Sequence, residues 1–302
     1  MDQVSRIISG ANDRSIKIWD PNTGVATMSL TSHYGGITAV TYNRFANLIA
    51  SSSYDGTIKL WHGSDGELLN TLCGHELAVN TISFSADGAQ LASGSNDETV
   101  CIWCTSTGVC SRRIVADERI VSISSNGDGS RVAGASVHQL IIWSSSDGLI
   151  LLSIPNFASC VAFSNCGNFL VFGTDNYNIV LLDAETGAEL QRFAYHSNRI
   201  CSISFNHDDT LLVTGSSDKT IKVWDATRRG QQTSSPLHTL RGHMDSVYSV
   251  AFNTQDNRIA SGCDDGTVKV WDNDCCVLTL LGHTSKVNCV SWCAESFDYL
   301  LK

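Results

Sequence analysis

Hydrophobic and polar positions alternate along this chain in short runs, and the pattern recurs about every forty residues. Each copy has four runs of β-branched and aliphatic residues, separated by clusters of Gly, Asn, Asp and Ser, which are the residues that tight turns require. In the third copy the four runs are Val79–Phe84, Gln90–Gly94, Thr99–Trp103 and Val109–Ile114. No segment keeps an apolar period of ~3.6 residues, so the pattern predicts strands and almost no helix.

A tryptophan ends the third run of most copies and sets the period. These tryptophans are 42, 42, 40, 81 and 47 residues apart, and they are Trp19, Trp61, Trp103, Trp143, Trp224 and Trp271. The gap of 81 residues holds one further copy, in which Leu182 takes the place of the tryptophan. Seven copies of a four-stranded antiparallel unit predict an all-β fold, a seven-bladed β-propeller formed by residues 1–302 as one domain. A single small sheet cannot bury both faces, whereas radially stacked sheets cover one another.

Composition narrows the classes of function. Hydrophobic residues make up 42% of the chain and charged residues 17%, which suits a folded domain with a sizeable core. The formal net charge is -10, from 20 basic and 30 acidic residues. This balance disfavours nucleic-acid and membrane partners, because phosphate backbones and anionic lipids repel an acidic surface.

The chain shows no apolar leader and no run that approaches the ~20 residues of a membrane span. We therefore expect an intracellular protein, cytoplasmic in the first place, with the nucleus as the alternative. The 12 cysteines are scattered over the chain, and we expect them to be reduced thiols.

Further residues recur in register with the tryptophan. Gly-His pairs occur at Gly74-His75, Gly242-His243 and Gly282-His283, with variants at Ser32-His33 and Tyr195-His196. An Asp lies six residues before the tryptophan in five copies, and a Ser or Thr lies ten residues before it. With these motifs the whole chain resembles the WD-repeat β-propellers.

The resemblance implies a buried hydrogen-bond chain in each complete copy, in which indole, hydroxyl, imidazole and carboxylate groups follow one another. Carried over residue by residue, the chains are Trp61–Ser51–His33–Asp55, Trp103–Ser93–His75–Asp97, Trp224–Thr214–His196–Asp218 and Trp271–Ser261–His243–Asp265.

A fifth set is split between the two ends of the chain. The N-terminal copy has the hydroxyl, carboxylate and indole but no preceding histidine: Ser9, Asp13 and Trp19. His283 has no such partners after it. We therefore expect Ser285–Cys293 to be the first strand of the blade that Arg6–Gly10 begins, so that about 1–30 and 284–302 share one closing blade. The tail Phe297–Lys302 resembles a competing second strand, and we favour the N-terminal copy because it carries the network residues.

Copies four and five depart from the pattern. Apolar or amide residues replace the polar set, namely Ala116, Ala133 and Val137 in the fourth copy and Ile154, Phe172 and Asn176 in the fifth. Replacing the partners together with apolar groups can be nearly neutral for stability. We expect these two blades to be more apolar and less regular than the others.

Catalytic and metal-binding motifs are missing from the sequence. It contains no HExxH, GxSxG, P-loop or strand–GxGxxG–helix pattern, so we predict no enzyme and no cofactor. The turn Asp264-Asp265-Gly266 lacks the spacing of a calcium loop. Cys101 and Cys104 lie three apart in a strand and point to opposite faces. The Gly-His histidines belong to different blades and cannot converge, so we predict no metal site.

The expected function is that of a protein–protein interaction scaffold or adaptor, a monomeric ring that presents a rigid surface within a larger multiprotein complex. Family resemblance suggests that one or more proteins or peptides bind the face formed by the Gly-His connections and the Asp turns. Aromatic and Arg side chains are frequent binding hot spots. The candidates on that face are Tyr34, Tyr54, Arg119, Phe157, Tyr177, Arg199, Met244 and Lys286.

Two alternatives stay open. A substrate receptor of a ubiquitin ligase often has Arg or Lys three residues after the motif tryptophan, where this chain has Asn22, Thr227 and Asp274. A phosphoinositide- or membrane-binding propeller often has Arg-Arg-Gly at the end of an outer strand. Here Arg228-Arg229-Gly230 falls in a connection instead. The surrounding loop, Thr227–Pro236, is a candidate contact or phosphorylation site or a tolerated insertion.

Overall fold

The computed structural model describes residues 5–155, 157–227 and 235–294 of the chain. This part of the protein consists of strands, turns and loops and contains no helix. The first fifteen strands, in chain order, are β1 (Ser5–Ala11), β2 (Ser15–Trp19), β3 (Ala26–Thr31), β4 (Ile37–Asn43), β5 (Leu48–Ser53), β6 (Ile58–His62), β7 (Leu68–Leu72), β8 (Val79–Phe84), β9 (Gln90–Ser95), β10 (Thr99–Cys104), β11 (Cys110–Val115), β12 (Ser122–Ser125), β13 (Arg131–Ala135), β14 (Gln139–Ser144) and β15 (Ile150–Pro155).

The remaining strands repeat the same unit. They are β16 (Val161–Phe163), β17 (Phe169–Gly173), β18 (Ile179–Asp183), β19 (Glu189–Phe193), β20 (Ile200–Phe205), β21 (Leu211–Ser216), β22 (Thr220–Asp225), β23 (His238–Arg241), β24 (Val247–Phe252), β25 (Ile259–Cys263), β26 (Val268–Asp272), β27 (Cys275–Leu280) and β28 (Val287–Ala294). In the third copy, the expected and observed strand ends differ by at most one residue.

Seven four-stranded antiparallel sheets form a closed ring. Six of them are blades two to seven, each built from four consecutive strands beginning at β4, β8, β12, β16, β20 and β24. The first strand of each blade lies innermost and packs against the first strands of both neighbours. This confirms the seven-bladed propeller that the period predicts.

The closing blade joins the two ends of the described chain. Its strand order is β28-β1-β2-β3, and β28 pairs antiparallel with β1 from Ser5 opposite Ala294 to Ala11 opposite Val287. β28 also packs between β24 and β4, so it completes the inner ring. The prediction that a C-terminal strand begins the N-terminal blade is confirmed.

The core lies between blades rather than within them. Each hydrophobic cluster takes residues from two neighbouring sheets, as where Ile58 and Leu60 of blade two pack with Val79 and Trp103 of blade three. The repeat tryptophans are nearly fully buried in these clusters. One sheet therefore gains its buried face only when its neighbour is present, which is the behaviour expected of a propeller.

Hydroxyl groups on the innermost strands also connect neighbouring blades. The Ser202 hydroxyl accepts a hydrogen bond from the backbone N–H of Val250 at 3.1 Å, and the Ser249 hydroxyl accepts one from Val290 at 3.0 Å. These contacts tie β20 to β24 and β24 to β28, and they add directional bonds to the apolar packing.

Blades four and five have the shortest innermost strands, with four residues in β12 and three in β16. Ala133, Phe172 and Leu182 are buried together in one apolar cluster between these blades. The side chains that replace the polar set thus fill the space with hydrophobic contacts, as expected for these two copies.

Three features of the sequence analysis fall on parts of the chain that are not described. The tail Phe297–Lys302 and the triplet Arg228-Arg229-Gly230 lie outside the described residues, as does the loop between 227 and 235.

Among the described residues, no helix has the length and apolarity that crossing a membrane requires. All 12 cysteines are described, and each is a free thiol.

Candidate protein-interaction face

Two kinds of loop meet on one side of the ring, which we call the upper face. One is the connection from the outermost strand of a blade to the innermost strand of the next, and the other is the turn between second and third strands. In blade two, the Asp55 carboxylate accepts hydrogen bonds from the backbone N–H of Tyr34 and from the His33 ring, both at 2.9 Å. The N–H of Tyr54 donates to the carbonyl of Gly36 at 3.1 Å. The opposite side, with the remaining turns, is the lower face.

A buried chain of hydrogen bonds anchors the upper loops of the blades that keep the polar set. In blades two, three and six, the tryptophan Nε1–H donates to a Ser or Thr hydroxyl at 2.8–2.9 Å. The same hydroxyl contacts histidine Nε2 at 2.7–2.9 Å. Histidine Nδ1 contacts the Asp carboxylate at 2.7–2.9 Å. These contacts join Trp61–Ser51–His33–Asp55, Trp103–Ser93–His75–Asp97 and Trp224–Thr214–His196–Asp218.

The closing blade has the same chain of bonds, assembled from both ends of the polypeptide. Trp19 Nε1–H donates to the Ser9 hydroxyl at 2.8 Å, and that hydroxyl contacts His283 Nε2 at 2.7 Å. His283 Nδ1 lies 2.9 Å from the Asp13 carboxylate. The ring is therefore fastened at its seam by side chains as well as by the β1–β28 ladder.

Blade seven is the exception. Trp271 and His243 both contact the Ser261 hydroxyl, at 2.8 and 2.7 Å. However, His243 Nδ1 lies 3.6 Å from the Asp265 carboxylate, which is longer than a hydrogen bond. Trp271, Ser261 and His243 are therefore joined as in the other blades, but the Asp265 carboxylate is not hydrogen-bonded to the histidine.

The environment of these groups shifts their proton affinities. Burial lowers the pKa of His75 and outweighs the raising effect of Asp97. For Asp97 itself burial acts to raise the pKa, but hydrogen bonds from Thr99, from the backbone N–H of Glu76 and from His75 outweigh it and lower the pKa to about 2. Near neutral pH the imidazole of His75 is therefore neutral and the carboxylate of Asp97 is ionised.

Acid is expected to destabilise the ring in two stages. Because the pKa of buried His75 is below the 6.5 of an unfolded histidine, the unfolded state takes up the proton first, and stability falls as the pH drops below ~6.5. The lowered pKa of Asp97 removes further stability between pH 3.8 and about 2. Melting temperatures measured from pH 7.5 down to 2 would show both stages of this decline. A constant melting temperature between pH 7.5 and 5 would contradict the histidine part.

The eight candidate binding residues all lie in upper-face loops of the described chain, and they are distributed around the rim rather than gathered in one cluster. Tyr34 and Met244 are strongly exposed, at 87% and 77% of their surface. The exposed side chains also include Tyr54, Arg119, Tyr177 and Arg199, whereas Phe157 and Lys286 are half-buried.

Two of the candidates have local constraints that the sequence does not reveal. The Lys286 ammonium lies 3.3 Å from the centroid of the Tyr248 ring on β24, a cation–π contact that holds it over the inner strands. Tyr177 has a φ of 61°, and Arg14 and Lys219 share this left-handed conformation at the matching turn position of their blades. In these three blades the turn thus presents one side chain from a left-handed backbone position.

The upper face also has exposed apolar side chains that are not among the eight candidates, and Leu77 and Tyr195 are two of them. Leu77 is 55% exposed and follows His75 by two positions, and Tyr195 is 54% exposed and takes the place of the glycine before His196. Tyr195 also packs on the Trp224 ring, at 6.4 Å between centroids. The sequence does contain a signal for Tyr195, because three of the other motif histidines follow a glycine and His196 follows a tyrosine.

The Ser–His–Asp order of these networks matches the hydrogen-bond order of a hydrolase triad. The Ser51 hydroxyl is fully buried and accepts the indole N–H of Trp61, so no substrate can reach it. The networks therefore position loops rather than activate a nucleophile.

Fold and site together define a WD-repeat β-propeller, and two family models agree. The model described as "IFT122 first beta-propeller" matches residues 52–237, and the model described as "WD domain, G-beta repeat" matches residues 3–20, 24–62, 234–272 and 274–296. The first match alone covers more than half of the chain. The chain therefore belongs to the WD-repeat β-propellers and, among them, to the family of the IFT122 first β-propeller. Propellers of the WD-repeat class are generally non-enzymatic scaffolds.

Curated relatives match shorter segments. The chain is 32% identical to mouse "WD repeat-containing protein 3" over 36% of its own length and 12% of that protein. It is 33% identical to the Saccharomyces cerevisiae "COMPASS component SWD1" over 29% of its length and 20% of that protein. It is 36% identical to "Pre-mRNA-processing factor 19" of rice over 24% of its length and 14% of that protein. The matched segment thus spans a small part of each relative.

Proposed function

We propose that this protein is a scaffold or adaptor that binds one or more proteins through its upper face and assembles them into a complex. The observation that carries this proposal is the combination of rigid loops with exposed aromatic side chains. Tyr34 and Tyr54 sit on two loops that share the Asp55 carboxylate, so both rings are held by a fixed frame.

Rigid presentation favours binding. A loop that is already ordered loses less conformational entropy when a partner docks. Exposed Tyr and Arg side chains supply contact area and directional bonds, and such residues dominate interface energies. Tyr54, Arg119 and Arg199 are exposed side chains of these two types at separate points of the rim. This distribution suits a partner that spans several blades.

The names of the relatives support the proposed scaffold role and a location inside the cell. One relative is named as a COMPASS component and another as a pre-mRNA-processing factor. We propose that the ring acts inside the cell as a monomer within a larger assembly, that it binds neither nucleic acid nor membranes, and that it has no catalytic activity. The Ser hydroxyls of its triad-like networks are buried.

The test compares the partners recovered by affinity purification and quantitative mass spectrometry from cells of the source organism. The variant carries Tyr54→Ala, Arg119→Ala and Arg199→Ala together, and the matched control carries Phe45→Ala. Phe45 is an aromatic residue that is 68% exposed on the lower face, where it stacks on Arg44. Thermal melts would establish that both variants fold.

We expect the triple variant to lose its specific partners by about tenfold or more, since each hot-spot residue contributes more than ~1 kcal/mol. The Phe45→Ala control is expected to recover them as the wild type does. Equal recovery by the triple variant would refute the upper face as the binding surface, and loss with Phe45→Ala alone would place binding on the lower face.

A further inference from the structure

Blade seven differs from the other complete blades at one position of its network. Two residues before the network Asp, blades two, three and six have a serine, namely Ser53, Ser95 and Ser216, whose hydroxyl accepts the Asp backbone N–H at 3.1 Å. Blade seven has Cys263 there, and the N–H of Asp265 lies 3.5 Å from its sulfur. A thiol thus stands beside the histidine–carboxylate pair in this blade.

The same blade has a buried imidazole nitrogen without a partner. His243 Nδ1 is 3.6 Å from the Asp265 carboxylate, whereas the corresponding distance is 2.7–2.9 Å in the other four networks. The His243 side chain is 1% exposed, and its Nδ1 has no hydrogen bond. A buried polar atom that lacks a partner costs stability unless a ligand satisfies it.

We propose that His243, Cys263 and Asp265 bind a zinc ion through Nδ1, Sγ and a carboxylate oxygen. The three ligand atoms lie within 4.8 Å of one another. Zinc bonds of ~2.0–2.3 Å in tetrahedral geometry separate neighbouring ligand atoms by roughly 3.3–3.6 Å. The observed 3.6 Å between His243 Nδ1 and the Asp265 oxygen matches that separation better than a hydrogen bond does.

The surroundings of the three ligands suit a metal ion. Asp265 is held by hydrogen bonds from the Thr267 backbone N–H at 2.9 Å and hydroxyl at 2.6 Å, which fix the carboxylate. With zinc on Nδ1, His243 Nε2–H donates to the Ser261 hydroxyl at 2.7 Å. The Ser261 hydroxyl can then donate to the Lys269 carbonyl oxygen at 3.5 Å. Such outer contacts fix the histidine tautomer and the orientation of the ring.

Charge and proton balance are simple. Cys263 exchanges its S–H bond, which is directed at the Asp245 carbonyl at 3.3 Å, for an S–Zn bond and releases one proton to solvent. Thiolate and carboxylate together neutralise the divalent ion, so burial of the site carries no net charge. The Asp265 side chain is 16% exposed, so the fourth zinc position opens toward the upper face and takes a water molecule or a side chain of a bound protein.

The test uses cobalt as a spectroscopic probe for zinc on the full chain. Cobalt(II) chloride is titrated into metal-free protein, and the near-ultraviolet charge-transfer band of a cobalt–thiolate bond is recorded. The variant Cys263→Ser installs the residue that three other blades have, so it retains the fold. The matched control is Cys73→Ser, which removes an exposed cysteine elsewhere.

We expect wild type and Cys73→Ser to bind one cobalt ion with a thiolate band that zinc chloride abolishes, and Cys263→Ser to lack this band. Zinc is also expected to raise the melting temperature of the wild type and Cys73→Ser but not that of Cys263→Ser, because only a folded site binds the ion. An equal thiolate band in Cys263→Ser would overturn the proposal, as would the absence of any band in the wild type.

Discussion

A chain that ends at Lys286 is expected to lose the cooperative unfolding transition of the complete ring. It lacks β28, the innermost strand of the closing blade, and with it the buried side chains of Val287, Val290 and Trp292. Burial of an apolar side chain of this size contributes ~1.5–3 kcal/mol, so these three alone approach the whole stability of a typical domain. The facing strands β1, β4 and β24 would also lose their neighbour.

The matched control is a chain that ends at Ala294 and retains β28 in full. Both proteins are compared by circular dichroism during heating and by amide hydrogen exchange. We expect the 1–294 chain to melt in one transition, and the 1–286 chain to have no such transition and rapid exchange in β1. If the 1–286 chain melted at the temperature of the control, β28 would not be part of the core of the ring.

Thr214→Val is expected to lower the free energy of unfolding by about 2–5 kcal/mol, although it preserves the volume of a fully buried side chain. The lost hydroxyl is the partner of both Trp224 Nε1, at 2.9 Å, and His196 Nε2, at 2.7 Å. Two buried polar groups would remain unsatisfied, and each costs ~1–3 kcal/mol. Urea denaturation followed by tryptophan fluorescence would give the difference.

Thr31→Val provides the control for that measurement. Thr31 lies on the outermost strand β3 with its side chain exposed, so the same change of atoms removes no buried bond. We expect a difference within ~0.5 kcal/mol of the wild type. Equal effects of the two substitutions would show that the buried hydroxyl contributes no more than a surface one.

Much of the fold could be predicted because its determinants are local. Alternating runs, turn residues and a tryptophan period specify each blade within about forty residues, and the ring follows because no blade can bury both faces alone. Ring closure was also predictable, since His283 and Asp13 are each half of an incomplete motif. Blade four keeps its buried tryptophan, Trp143, and blade five could be placed by spacing alone, because Leu182 keeps the buried position of the missing tryptophan.

Other properties depend on contacts between residues distant in sequence. Lys286 is held over Tyr248 of the neighbouring blade, and no local pattern reports that pairing. The sequence predicts no metal site, because the Gly-His histidines belong to different blades. The cluster of His243, Cys263 and Asp265 lies within one blade, and its significance depends on a separation of 3.6 Å that only coordinates provide.

A single hydrogen-bond chain joins both ends of the polypeptide in the closing blade and fastens the ring at its seam. A double-mutant cycle with His283→Ala and Asp13→Ala, measured by urea denaturation, tests it most directly. We expect a coupling free energy of about 1–3 kcal/mol between the two substitutions. The pair His283→Ala and Asp218→Ala, in networks of different blades, should be additive within ~0.5 kcal/mol. Additive effects of His283→Ala and Asp13→Ala would contradict a shared network at the seam.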